Sequence, residues 1–180
     1  MSEESCCAIL GHTPMRFAWG FDEENEKCHE LKIELLQLIM EIRQQNVLQF
    51  IVVCDCGIGL YAGEIVNLLR ESDKEIRLYC VTPHEEQSTK WAPYLRERYF
   101  DLLEKCTFME VASPQKTPVS QQAAYMKIID HANVIIAVYD PTSARNDAID
   151  RAICYAVHQN KDIIYLHPDT FKRSVGMNNK

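Results

Sequence analysis

At 180 residues, with 47% hydrophobic and 25% charged positions, the chain has the size and balance of one ordinary globular domain with a single core. A formal net charge of −7 argues against a nucleic-acid-binding surface, which is normally basic. Met1–Ser5 lacks the charged-then-apolar pattern of a secretory leader, and no apolar run approaches the roughly 20 residues that span a bilayer. A cytoplasmic protein that does not enter membranes is therefore expected.

Strand and helix patterns alternate along the chain. Cys6–Leu10 is a short apolar run and the first candidate strand, followed by a loop from Gly11 to about Phe21. From Glu23 to Gln45, Leu31, Leu35, Leu38, Ile39 and Ile42 form the stripe of a long amphipathic helix. Val47–Cys54 is a buried strand rich in β-branched residues. It passes through Asp55, Cys56, Gly57, Ile58 and Gly59 into a helix whose inner face carries Ile58, Ala62, Ile65, Val66 and Leu69. Backbone N–H groups are left without partners where a helix begins, and such a point attracts phosphates, carboxylates and ribose hydroxyls.

Ile76–Val81 is the third strand, ended by Thr82-Pro83. Pro93 suits the first turn of a helix continuing through Leu102 and Leu103, because its missing N–H has no partner there in any case. Thr107–Val111 is a weaker fourth strand, and Pro118 is placed to open a helix reaching His131. Val134–Tyr139 is a clear fifth strand, terminated by Asp140-Pro141-Thr142-Ser143. Asn146–Gln159 is helical, Asp162–Leu166 is the sixth strand, and Thr170–Lys180 is polar and expected to be a loose tail. The folded domain is expected over residues 6–168, with flexible termini at 1–5 and 169–180.

Six strands alternating with five helices predict an α/β fold, a doubly wound three-layer sandwich with a mostly parallel sheet. Ligands bind such sheets outside the carboxyl ends of the strands. Those ends fall at Gly11-His12, Asp55–Gly59, Thr82-Pro83-His84, Ser113 and Asp140–Ser143. Of the eight cysteines, Cys6, Cys7, Cys54, Cys80 and Cys154 lie in apolar segments and read as buried thiols of a reducing compartment. No CxxC pair is present, so a zinc ribbon lacks its main signature, and no metal or cofactor is expected.

With the strand ends aligned, the chain resembles the YpsA-like branch of the SLOG superfamily, Rossmann-like proteins that include the Smf/DprA proteins and the LOG phosphoribohydrolases. The resemblance rests on Ile9-Leu10-Gly11-His12-Thr13-Pro14, on Gly57-Ile58-Gly59-Leu60-Tyr61-Ala62-Gly63-Glu64, on Val81-Thr82-Pro83 with Gln87 and Trp91, and on Val138-Tyr139-Asp140. It runs from about Cys6 to Pro168. Three places depart from the pattern. Cys54 and Asp55 stand where the family has glycines, Gly59 replaces an Asp, and Arg145-Asn146-Asp147-Ala148 replaces a glycine-rich turn with a Thr. These changes favour a ribose or base contact over a phosphate cradle.

The resemblance implies a nucleotide- or nucleoside-derived small molecule bound across Gly11, His12, Asp55, Gly57, Gly59, Tyr61, Thr82, Trp91 and Asp140. Glu64 is the candidate catalytic carboxylate. Related superfamily enzymes use a Glu in this kind of helix start near the ribose, and the alternative for Glu64 is a solvated residue that complements the helix dipole. Asp55 is either the partner of Glu64 in an acid/base pair or a turn residue. Asp140 either binds a hydroxyl or caps its turn. Trp91 either stacks on a base or packs in the core. Two further functions stand beside ligand binding: cleavage or transfer at an N-glycosidic bond through Glu64, and a ligand-free interaction scaffold. DprA-like binding of single-stranded DNA is disfavoured by the acidic balance, and a homo-oligomer is compatible with the fold.

Overall fold

The computed structural model describes residues 5–176. A seven-stranded sheet in the order β4-β3-β2-β1-β5-β6-β7 forms the middle layer. Strands β1 (Cys6–Gly11), β2 (Gln49–Val53), β3 (Arg77–His84), β4 (Phe108–Ser113), β5 (Val134–Val138) and β6 (Asp162–Leu166) are all parallel. The strand that the sequence hides is β7 (Arg173–Val175), which pairs antiparallel with β6 inside the segment expected to be a tail. All three of its residues are exposed, so it carries no apolar pattern, and only its ladder with β6 defines it. Of the termini expected to be flexible, residues 1–4 and 177–180 lie outside the described residues.

Two apolar cores cover the two faces. One packs α1 (Glu26–Gln44), α2 (Ile58–Ser72) and α3 (Pro93–Lys105) through Leu31, Leu35, Leu60, Val66 and Leu102 onto Ile9, Phe50 and Leu78. The other packs α4 (Ser120–His131) and α5 (Ala148–His158) through Ala124, Ile128, Ala152 and Ala156 onto Ala8, Ile51 and Ile135. Strand β1 is buried along its whole length because it has neighbours in the sheet on both sides and helices on both faces. The chain leaves β1 toward β2 on one side and returns through α4 to β5 on the other. The crevice of this doubly wound sheet therefore opens at the carboxyl ends around β1.

Helix boundaries follow their local chemistry. Asn25 accepts a hydrogen bond from the Lys27 N–H at the start of α1, and Pro93 occupies the first turn of α3. Asp147 and Asp150 form a reciprocal capping box at the start of α5. Gly57 and Gly59 are fixed by close approach. A Cβ on Gly57 would lie 2.5 Å from the His12 carbonyl oxygen, and one on Gly59 would lie 1.8 Å from that of Val53. The turn into α2 thus presses directly against β2 and the loop after β1. Among the cysteines, Cys154 is exposed where the sequence reading expected a buried thiol, and Cys28, on which that reading made no call, is buried. The inner stripe of α5 is Ile149, Ala152, Ile153 and Ala156, and Cys154 falls outside it.

Candidate functional site

The carboxyl ends of β2 and β3 and the starts of α4 and α5 enclose a cleft of about 360 Å³. Asp55 and Cys56 line it after β2, and His84, Gln87 and Trp91 line it at and after the end of β3. Lys116, Gln121 and Tyr125 come from α4 and the loop before it, and Asp147–Ile149 from the start of α5. This volume is at the lower end of the range typical for small-molecule pockets.

Asp55 is buried and organises the floor. Its Oδ1 accepts hydrogen bonds from the N–H groups of Gly57 (2.9 Å) and Gly59 (3.1 Å), and its Oδ2 accepts one from the Tyr125 hydroxyl (2.7 Å). The intervening N–H of Ile58 donates to the His12 carbonyl oxygen at 3.2 Å. Burial raises the Asp55 carboxyl to about 6 against the pull of these donors, which favour the anion. Burial also raises the Tyr125 phenol, and the neighbouring Asp55 adds to the effect.

His12 sits beneath the crevice between β1 and β5. Its N–H donates to the Val138 carbonyl oxygen, and its Nε2 accepts from the Asp140 N–H at 3.2 Å. The imidazole is therefore neutral with its proton on Nδ1, and that Nδ1 is buried without a partner. Burial, reinforced by Arg16, lowers its pKa to about 4. Asp140 uses its side chain to accept from the Thr142 N–H and hydroxyl, which caps the turn after β5.

Arg16 ties the loop after β1 to the start of α5. Its side chain is 2% exposed and reaches Asp147 at 3.1 Å, Asp150 at 3.0 Å and the Ser143 carbonyl oxygen at 3.0 Å. Burial alone would raise Asp150. Hydrogen bonds from the Tyr139 hydroxyl and Arg16 outweigh it and hold the carboxyl below its ordinary range.

The structure brings Asp55 and Trp91 to the cleft wall and places Gly57 and Gly59 behind Asp55. Gly11 and His12 lie under the crevice, where a Cβ on Gly11 would meet the Val138 carbonyl oxygen at 2.5 Å. Trp91 is half-buried and also packs edge-on against Tyr99, with ring centroids 5.3 Å apart. Thr82 is buried in β3 with its hydroxyl 3.5 Å from the Glu110 carbonyl oxygen. Tyr61 lies in the core under α1, stacked near Phe17 and beneath the Lys32 ammonium.

Glu64 is not among the residues that line the cleft. It lies along the groove between α2 and α3 and is held by Arg98 through two contacts of 2.7 and 2.8 Å. Arg98 also binds Glu23, which binds Lys32. That groove, about 430 Å³, is bordered by Arg70, Glu71, Lys74, Asp101 and Lys105 and shares no lining residue with the cleft. Glu64→Gln is expected to cost about 1 kcal/mol, a fall in Tm of about 2–4 °C. The loss should shrink in high salt, since the pair is partly exposed, and thermal unfolding at two ionic strengths measures it.

Among the described residues, no group of three or more His, Cys, Asp or Glu side chains is placed to hold a metal ion. None of the helices among those residues is long and apolar enough to cross a membrane. Tyr125, Gln121, Lys116, Arg16 and Asp150 were not visible as site residues in the sequence. The spacing Asp147-x-x-Asp150 before an apolar stripe was a readable capping signal. Nothing local marks Tyr125, whose ring reads as core while its hydroxyl reaches Asp55 across 70 residues of sequence.

The family model described as the YspA SLOG family (YpsA) matches residues 7–171. The chain belongs to this family. Among curated proteins it is similar to UPF0398 protein BH1768 of Halalkalibacterium halodurans, 26% identical over 67% of this chain and 65% of that protein. It is also similar to UPF0398 protein YpsA of Bacillus subtilis, 20% identical over 74% of this chain and 75% of that protein. A third relative is the SPbeta prophage-derived protein YoqJ of Bacillus subtilis, 27% identical over 81% and 92% of the two chains. The match to the first of these relatives spans just under two thirds of its length. Among solved structures, DNA processing protein A (DprA) from Streptococcus pneumoniae has a TM-score of 0.57 and 12% identity, covering 89% of this chain and 50% of that one. At that identity the likeness is one of fold. The YpsA SLOG assignment agrees with the Rossmann-like architecture and with a crevice at the carboxyl edge.

Proposed function

We propose that this SLOG domain binds a nucleotide- or nucleoside-derived small molecule in the cleft above β2 and β3. The observation that carries this reading is His84. It is 8% exposed, it lines the cleft, and its buried Nδ1 has no hydrogen-bond partner. A buried polar nitrogen without a partner costs free energy that a bound ligand would recover. The surrounding walls combine an indole, suited to stacking on a base, with the amides of Gln87 and Gln121, suited to the hydrogen-bonding edge of one. Gln87 is held in place by donating to the Cys54 carbonyl oxygen at 2.9 Å.

Saturation-transfer NMR against nucleosides, nucleotides and ADP-ribose tests the reading. At least one should show transfer, and His84→Ala should weaken its binding about tenfold, the equivalent of about 1.4 kcal/mol for one lost buried hydrogen bond. Transfer to none of these compounds would overturn it.

A further inference from the structure

Two of the helix starts beside the cleft, those of α2 and α5, are already occupied. At α2, Asp55 takes the N–H groups of Gly57 and Gly59, and His12 takes that of Ile58. At α5, Asp150 accepts from the N–H groups of Arg145 (2.6 Å) and Asp147 (3.2 Å), while Asp147 accepts from that of Asp150 (3.1 Å). One terminal nitrogen of the nearby Arg16 guanidinium is taken by the same two carboxylates and the other by the Ser143 carbonyl oxygen. An incoming phosphate would need these donors, because helix-start N–H groups and arginines are what ordinarily hold it. Here it would meet carboxylates in their place.

From this we infer that the cleft accepts a non-phosphorylated nucleoside and discriminates against its phosphorylated forms, the chain's own Asp55 and Asp147 standing where a phosphate would bind. The inference rests on the reading of the cleft as a nucleoside-related site and adds the class of ligand to it. Three features of the walls agree. Among the described lining residues the cation is Lys116, exposed on the loop before α4, against two carboxylates. A phosphate dianion on this wall would face the Asp55 carboxylate at close range. Of the remaining lining groups, His84, Gln87, Gln121 and Trp91 are suited to neutral heterocycles through hydrogen bonding and stacking. The cleft volume of about 360 Å³ matches a small ligand.

The test is isothermal titration of the full chain with adenosine, guanosine, cytidine and uridine, with their 5′-monophosphates and with inorganic phosphate. At least one nucleoside is expected to bind at least tenfold tighter than its own monophosphate, and inorganic phosphate should give no binding heat. In Asp55→Asn, and separately in Asp147→Asn, that ratio should narrow at least threefold. A monophosphate binding as tightly as its nucleoside, or tighter, would overturn the inference while leaving the cleft a nucleotide site. Binding of neither class would overturn both the inference and the reading beneath it.

Discussion

Asp55→Ala is expected to destabilise the fold by about 3–4 kcal/mol, because it removes the acceptor for two buried N–H groups and one buried hydroxyl at once. For a chain of this length that is a fall in Tm of about 6–16 °C. Asp55→Asn should behave differently. Its amide oxygen can replace Oδ1, and its NH₂ can donate to the Tyr125 oxygen, so most of the network survives. The informative quantity is then the pH dependence. The Asp55 carboxyl moves from its ordinary 3.8 to about 6 on folding. The folded state therefore holds a proton more tightly than the unfolded chain. The stability linked to this proton is fully present below about pH 3.8 and is lost as pH rises through 6. The shift corresponds to about 3 kcal/mol at 1.36 kcal/mol per pH unit.

His12 acts in the opposite sense, since its folded pKa is lowered to about 4, and its contribution is lost as the pH falls from about 6.5 through 4. The wild-type curve sums the two. Subtracting the Asp55→Asn curve cancels the His12 part. Between pH 7.5 and pH 4 the difference should move by about 2.4 kcal/mol in favour of the wild type. Urea unfolding at five pH values measures it. A difference that stays constant across this range would contradict the burial of Asp55 described above.

The second large effect is expected at Arg16. The guanidinium is enclosed, and it neutralises Asp147 and Asp150 while stacking 5.4 Å from the Tyr139 ring. Arg16→Ala leaves Asp150, which is 7% exposed, as an uncompensated buried charge. Breaking one side of such a cluster costs about 3–5 kcal/mol, so Tm should fall by about 6–20 °C. Arg16→Lys keeps the charge without the planar fork that spans two carboxylates and a carbonyl oxygen, and should recover about half. Thermal unfolding of both variants decides the matter. A loss below about 1 kcal/mol in Arg16→Ala would show that the loops after β1 and β5 are not held together by this cation.

Much of the fold was legible because a parallel sheet writes itself as apolar runs. Ile51-Val52-Val53 and Ile135-Ile136-Ala137 are buried on both faces and leave no alternative to interior strands. Strand β7 was not legible, since Arg173-Ser174-Val175 is exposed and bonded to one neighbour. The site was readable as a place and less so as chemistry. The turn Asp55–Gly59 marked the carboxyl edge, and the glycines there are required by contacts with His12 and Val53. That Asp55 would accept from the helix start depended on Tyr125 and on the exact path of the turn, which no local pattern encodes. The motif marks Glu64 as a candidate, and its pairing with Arg98, 34 residues away on α3, is one that sequence spacing does not report.

The most direct test of the account is a fluorescence titration at Trp91, the indole on the cleft wall. The chain has two tryptophans, and Trp19 is buried against Phe17, so Trp19→Phe leaves Trp91 as the reporter. Adding the four ribonucleosides to this variant should produce, for at least one, a saturable change in Trp91 emission that is lost in Trp19→Phe/His84→Ala. Unchanged emission with all four, in a variant whose thermal unfolding matches the wild type, would contradict a nucleoside site at this edge of the sheet.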